Sequence, residues 1–217
     1  MSRFKGKLNN GLPGDLPEGE NLLWQGAPDW RSLARRAFRT NIVGIYFAVL
    51  IIWRIGGSLM AGHTLSYALA SGLSSIALGA TVIGIFCMLS WLIARSTTYT
   101  ITNRRAVITY GIALPKSVNL PFTRIDAADL RTHTEGTGDI ALKLPPATRL
   151  SYLLLWPHVR AGIGGKTEPV LRSIEEPSQV AEILVNALGS SVAGIERATI
   201  VVQPVRADLT GIRAKAA

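Results

Sequence analysis

The sequence predicts an α+β membrane protein: two transmembrane helices, then a cytoplasmic seven-stranded β-domain closed by a C-terminal helix. Three observations predict it. Residues 55–94 contain no Asp, Glu, Lys or Arg, a run of forty positions that a water-soluble core would rarely tolerate. Directly after it, TTYTITNRRAVITYG (97–111) places β-rich residues on both sides of Asn103-Arg104, the pattern of a tight hairpin. Further short β-rich segments follow, and then one helical apolar stripe ends the ordered pattern.

Residues 1–28 are rich in Gly, Pro, Asn and Lys and predict an irregular segment, with Arg3, Lys5 and Lys7 able to touch an anionic leaflet. Pro28 breaks the chain and Asp29 can cap a helix that starts at Trp30. Along that helix Trp30, Leu33, Ala34, Ala37 and Phe38 form one face, while Arg31, Arg35, Arg36 and Arg39 lie largely off it. This basic amphipathic helix either anchors the chain at the bilayer surface or docks a partner membrane protein through Trp30, Arg35, Arg36 and Arg39.

The anchor is residues 29–95, with spans over about 40–60 and 72–94. The first span must accommodate Arg54, which lies ~22 Å along a helix from Arg39. Arg54 either snorkels to the far interface beside Trp53 or meets a partner's carboxylate. Residues 61–71 read as an uncharged turn carrying His63. Ser71, Ser75 and Gly79 make a small-residue stripe on the second span, as do Ala80 with Gly84, and Gly44 with Ala48 on the first. Such stripes admit either the chain's own other span or a partner helix. Arginines flank both spans on one side and the connecting loop has no Lys or Arg, so both termini are expected in the cytoplasm.

The β-domain is expected over 96–189. Its strands are placed at 98–102, 105–110, 117–120, 125–133, 139–144, 151–156 and 169–174, with a turn at Glu135-Gly136-Thr137-Gly138. Val180, Ile183, Leu184, Ala187 and Leu188 then form the stripe of the closing helix. Residues 190–217 are expected to be a tail, basic at Arg213 and Lys215, with a further strand over 198–203.

The search for chemistry yields little. The formal charge of +9 raises nucleic-acid binding, but no zinc-finger spacing, aromatic/basic strand or basic run accompanies it. An excess of Lys and Arg on the cytoplasmic side of a membrane protein accounts for the charge instead. The single cysteine, Cys87, lies in a span and permits neither an intramolecular disulfide nor a cysteine metal site. No short apolar core follows Met1, so no cleaved signal peptide is expected. His63, His133 and His158 are scattered, and no metalloprotease or nucleophile-elbow motif is present. GIGGKT (162–167) resembles part of a phosphate loop, but Arg160 stands where its first glycine is required. Asp126, Asp129 and Asp139 are expected to be solvated. No catalytic residue, cofactor or metal is predicted.

Tyr99, Ile101, Thr102 and Arg105 match the pattern Y-x-[IV]-T-x-x-R, which follows the spans directly. In this the chain resembles the bacterial pleckstrin-homology-like domains. That resemblance implies a bent sheet plugged by one helix, and makes Arg104 and Arg105 in the first hairpin turn candidate lipid-headgroup contacts, with a structural or protein-contact role for the turn as the alternative. LPEGENLLWQGAPDWRSLARRAFR (16–39) together with the hairpin further resembles the photosynthetic-complex assembly proteins of purple bacteria. This implies a non-enzymatic factor that binds reaction-centre or core light-harvesting subunits, as well as lipid, in the inner membrane. Self-association stays open. The alternative is a general membrane-anchored scaffold or lipid-binding protein unrelated to photosynthesis.

Overall fold

The computed structural model describes residues 16–145, 151–162, 167–191 and 199–203, without the side chains of 191 and 199–203. Arg3, Lys5, Lys7, residues 163–166 of GIGGKT, Arg213 and Lys215 lie outside these residues.

Two helices are long and apolar enough to cross a membrane, α2 (Thr40–Met60) and α3 (Leu65–Ser96). They pack antiparallel. Gly44 faces Ile83, and a side chain added at Gly79 would meet the Phe47 ring at 2.8 Å. One added at Gly72 would meet Ile55 at 2.9 Å, and the Ser58 and Ser71 hydroxyls lie 3.3 Å apart. The small residues therefore let the two backbones approach. α3 begins seven residues before the expected position 72, because Thr64 caps it by accepting from the Tyr67 amide. Its 32 residues span ~48 Å, well beyond a ~30 Å hydrocarbon core. The excess lies at the other end, where α3 runs past the start of α2. There Ser90 and Ala94 are buried beneath α1 (Trp30–Arg36).

Asp29 caps α1 by accepting from the Ser32 amide at 2.8 Å. Leu33 and Ala34 are buried, so the apolar face is already covered by this chain. The helix ends at Arg36, and Arg39 sits at φ 52 between α1 and α2. One continuous amphipathic helix to Arg39 is thus replaced by a short helix and a sharp corner.

Nine strands are described, in two sheets. The first has the order β1-β2-β3-β4 (Leu22–Gly26, Thr98–Thr102, Arg105–Tyr110, Lys116–Pro121), and its β2–β3 hairpin lies where the sequence predicts it. The second has the order β7-β8-β6-β5-β9 (Val159–Ala161, Thr167–Glu175, Thr137–Lys143, Ala127–Thr132, Thr199–Gln203). Tyr99, Ile108, Phe122, Ile140, Leu142 and Leu171 fill the core between them, and α5 (Pro177–Ser191) closes it with Val180, Leu184 and Leu188. β9 pairs with β5 in parallel.

Three further expectations are corrected. The described residues hold nine strands in two sheets, not seven, because β1 and β9 join from outside 96–189. Residues 1–28 are not irregular throughout, since β1 pairs antiparallel with β2 across the intervening spans. The segment 151–156 is not a strand. It forms the one-turn helix α4 (Tyr152–Leu155), since three consecutive leucines favour a helix and Pro157 ends it. The strand in its place is β7, three residues long.

A buried network joins the end of α3 to the domain. The Tyr99 hydroxyl accepts from the Arg172 amide at 3.0 Å and lies 2.8 Å from His158 Nδ1. Burial pushes the Tyr99 pKa well up, so the phenol keeps its proton. His158 Nε2 lies 3.1 Å from Oγ1 of Thr97, the residue that follows the last turn of α3. Burial, with a smaller contribution from the Arg172 guanidinium, lowers the His158 pKa to about 3.

Candidate functional site, an arginine-lined cavity at the foot of the spans

The second sheet alternates. Ile140 and Leu142 point into the core, so Asp139, Ala141 and Lys143 point out. The same rule puts Asp129 and Arg131 of β5, and Val170 and Arg172 of β8, on the outer face. That face is not simply bathed in solvent. α1 stands over it, held by Asp29 N–H donating to the Ser173 carbonyl at 2.7 Å and by a 2.9 Å contact between the Ser32 and Thr137 hydroxyls.

Between them lies a cavity of about 460 Å³. Arg35 and Arg36 of α1, Arg39 at the corner, and Asn41 and Ile42 in the first turn of α2 form one wall. Arg131, His133, Asp139, Arg160 and Arg172 form the other, with Ala141 and Val170 between them. Six arginines thus converge where the long apolar helix α2 meets the β-domain.

Their charges are unequally compensated. Arg160 pairs with Glu168 at 2.7 Å and Asp129 at 2.5 Å, and Lys143 reaches the same Asp129 at 3.0 Å. Burial pushes the Asp129 carboxyl up, but Lys143 and Arg160 outweigh it and hold the group below the usual range. Burial lowers the Arg160 pKa, yet Glu168 and Asp129 leave it raised. His133 Nε2 lies 3.3 Å from Asp139 Oδ2, and the Ser173 amide donates to Asp139 Oδ1 at 2.9 Å. Burial raises the Asp139 pKa, but these partners hold it low. Arg35 reaches Glu135 at 2.7 Å in a half-exposed pair of little energetic weight. Arg172 donates through Nη2 to the Val159 carbonyl, while its buried Nε has no hydrogen-bond partner among the described residues. Among those residues Arg36, Arg39 and Arg131 have no acidic partner either. The six arginines and Lys143 face Asp129, Glu135, Asp139 and Glu168, which leaves three positive charges in excess.

A model of the bacterial PH domain matches residues 40–188, well over half of the chain. The chain belongs to the bacterial PH domain family. An uncharacterized 23.7 kDa protein in the puhA 5′ region of Rhodobacter capsulatus is 36% identical over 184 residues, which cover 82% of this chain and 83% of that protein. No solved structure matches the chain. The PH domain match begins at the first residue of α2, so β1 and α1 precede it, and with them Arg35, Arg36 and Arg39 of the cavity wall.

The PH domain's first hairpin turn is engaged internally. Arg105 forms a bidentate pair with the buried Glu20, at 2.7 Å and 2.9 Å, and Thr102 donates to the same carboxylate. Asn103 accepts from the Asn21 amide and donates to the Gly19 carbonyl. The turn clamps the incoming N-terminal segment, so Arg105 is not free for a lipid headgroup, and only Arg104 remains exposed. Ser75 and Gly79 are buried in the α2–α3 seam and Ser71 borders it, so this stripe holds the chain's own helix and not a partner's. Arg54 is exposed toward the far end of α2, beside Trp53 at 80% exposure. Trp30 is half-buried and carries the Arg31 guanidinium over its ring at 5.4 Å. The structure brings Arg35, Arg36 and Arg39 together, but leaves Arg54 and Arg104 apart from them.

Sequence reasoning missed Arg131, Arg160 and Arg172, although alternation along the expected strands 125–133 and 169–174 placed Arg131 and Arg172 on the polar face, while Arg160 fell in no expected strand. It also treated Asp129 and Asp139 as solvated, whereas Asp129 is 4% exposed and both are paired. Among the described residues no group of three His, Cys, Asp or Glu side chains could hold a metal ion.

Proposed function

We propose that the chain is a non-enzymatic assembly factor for the photosynthetic reaction centre and core light-harvesting complex, anchored in the bacterial inner membrane. The observation that carries this reading is the match over 82% of the chain to a protein in the puhA 5′ region, a photosynthesis gene region. The physical features agree with a binding role. Both long helices present apolar outer faces, such as Ile45, Val49 and Ile52 of α2, to lipid or to a partner's spans. The cavity's arginines offer a basic surface at the cytoplasmic interface, where individual exposed charge pairs contribute only about 0–1 kcal/mol and exchange readily. Contacts of that strength suit a factor that must leave a finished complex.

The β-domain would rest on the cytoplasmic leaflet. Trp156 packs edge-on against Phe38 at 5.1 Å, and Phe38 lies 5.6 Å from Phe86 of α3. Leu153 and Leu154 of α4 are 88% and 58% exposed beside them. Exposed leucines with a tryptophan at the foot of a span suit the bilayer interface.

The deciding experiment is purification of the tagged full chain from mild detergent during induction of phototrophic growth, with deletion of its gene as the parallel arm. Reaction-centre or core antenna subunits should co-purify, and the deletion should lower the accumulated complex while leaving subunit messages intact. Normal complex levels in the deletion strain would reject this reading and favour a general lipid-binding scaffold, for which the arginine cavity is the specific argument.

A further inference from the structure

We propose that the cavity between α1, the corner at Arg39 and the outer face of the second sheet binds a phosphate group, presented by an anionic phospholipid of the cytoplasmic leaflet. The inference rests on the membrane-spanning reading of α2 and α3, and is independent of any photosynthetic role.

Charge comes first. Three positive charges in excess, gathered in one concavity, repel one another unless an anion enters. Arg36, Arg39 and Arg131 approach it from three different elements and have no acidic partner among the described residues. Guanidinium groups pair with phosphate oxygens in planar, often bidentate geometry, which makes arginine the residue best suited to such an anion. The acids on or behind the walls do not compete, because Asp129, Asp139, Glu135 and Glu168 are each engaged by a basic neighbour.

Size and position follow. About 460 Å³ falls within the ~300–1,000 Å³ of small-molecule sites and accommodates a phosphoglycerol headgroup. Asn41 and Ile42, in the first turn of α2, are part of the wall. A helix that enters the bilayer there sets the cavity at headgroup depth, where anionic lipid is concentrated. The apolar α4 turn and Trp156, seated against Phe38, hold the β-domain at the same level. The acyl chains would then lie along α2 while the phosphate enters between Arg36 and Arg131. This is not the first hairpin turn, whose Arg105 is taken by Glu20.

The test uses the full chain in detergent, with dioctanoyl-phosphatidylglycerol as probe and dioctanoyl-phosphatidylcholine and inorganic phosphate as comparisons, read by calorimetry. The phosphatidylglycerol is expected to bind at least tenfold tighter than the phosphatidylcholine. The double variant Arg36→Gln/Arg131→Gln should weaken it tenfold or more with an unchanged melting temperature, while Arg104→Gln leaves it unaltered. Failure of inorganic phosphate to displace the lipid at equal concentration would support the lipid source. Displacement at equal concentration would overturn that part and make the site one for the free anion. Absence of binding to the wild-type chain, or equal binding by the well-folded double variant, would overturn the proposal. Co-purification of photosynthetic subunits is read separately, so either idea can fail alone.

Discussion

His158 is a neutral ring wedged between the end of α3 and the β-domain, and that state makes the joint sensitive to acid. Its native pKa of about 3 lies below its ordinary 6.5. Below pH ~6.5 the unfolded chain binds a proton that the folded chain refuses, so stability falls as pH drops toward 3, by up to about 1.4 kcal/mol per unit. Asp129 and Asp139, both held low, add a loss in the same direction below the usual carboxylate range. Thermal melting of the full chain in detergent at pH 7.0 and about 5 should show this slope between the two, and His158→Gln should flatten it. A slope unchanged in the variant would exclude His158 as its source. Arg105 makes a second residue-scale prediction. Arg105→Ala strands the buried Glu20 carboxylate and should cost about 1–3 kcal/mol or more. Arg104→Ala, one position away on the exposed tip, should stay within about 0.5 kcal/mol. Equal losses from denaturant melts would contradict the clamp. The Y-x-[IV]-T-x-x-R pattern sets Arg105 apart from Arg104 but does not show its partner, because Glu20 lies more than eighty residues earlier in the chain.

At the scale of elements, hydropathy and periodicity located α2, α5 and the first hairpin, and misread α4 and β1. α2 occupies the expected 40–60, and the stripe of α5 is buried as expected, with Leu184 fully covered. Leu184→Ala should therefore cost about 2–5 kcal/mol in equilibrium unfolding. A loss under 1 kcal/mol would mean that α5 does not seal the core. In the α2–α3 seam, Gly79→Leu must displace the Phe47 ring, and overpacking of this kind costs about 1–3 kcal/mol. Crosslinking between cysteines placed at Ser58 and Ser71 should fall in that variant, whereas an unchanged yield would place the seam elsewhere. α4 escaped the reading because residues 152–156 form an unbroken run of apolar and aromatic side chains, which carries neither a period of two nor one of 3.6. β1 escaped it because LLWQG has too few residues to define a pattern, and its partner β2 lies beyond two spans.

For the whole molecule, charge asymmetry across the spans predicts that both termini face the cytoplasm. A cytoplasmic reporter fused after the last residue should be active and a periplasmic one silent, and His63→Cys should be labelled from the periplasmic side. Labelling of the β-domain from outside would invert the arrangement and remove the cavity from the cytoplasmic leaflet. The apolar runs, the first hairpin and the closing helix were legible in the linear chain because each is written in neighbours a few residues apart, through hydropathy, turn residues and repeat period. The cavity was not, because its arginines come from α1, the corner before α2, β5, β7 and β8. They meet only when the outer face of one sheet folds beneath a helix more than ninety residues earlier in sequence. Whether an arginine ends paired, clamped or free depends on which carboxylate that folding brings within ~4 Å, and no local pattern encodes that distance.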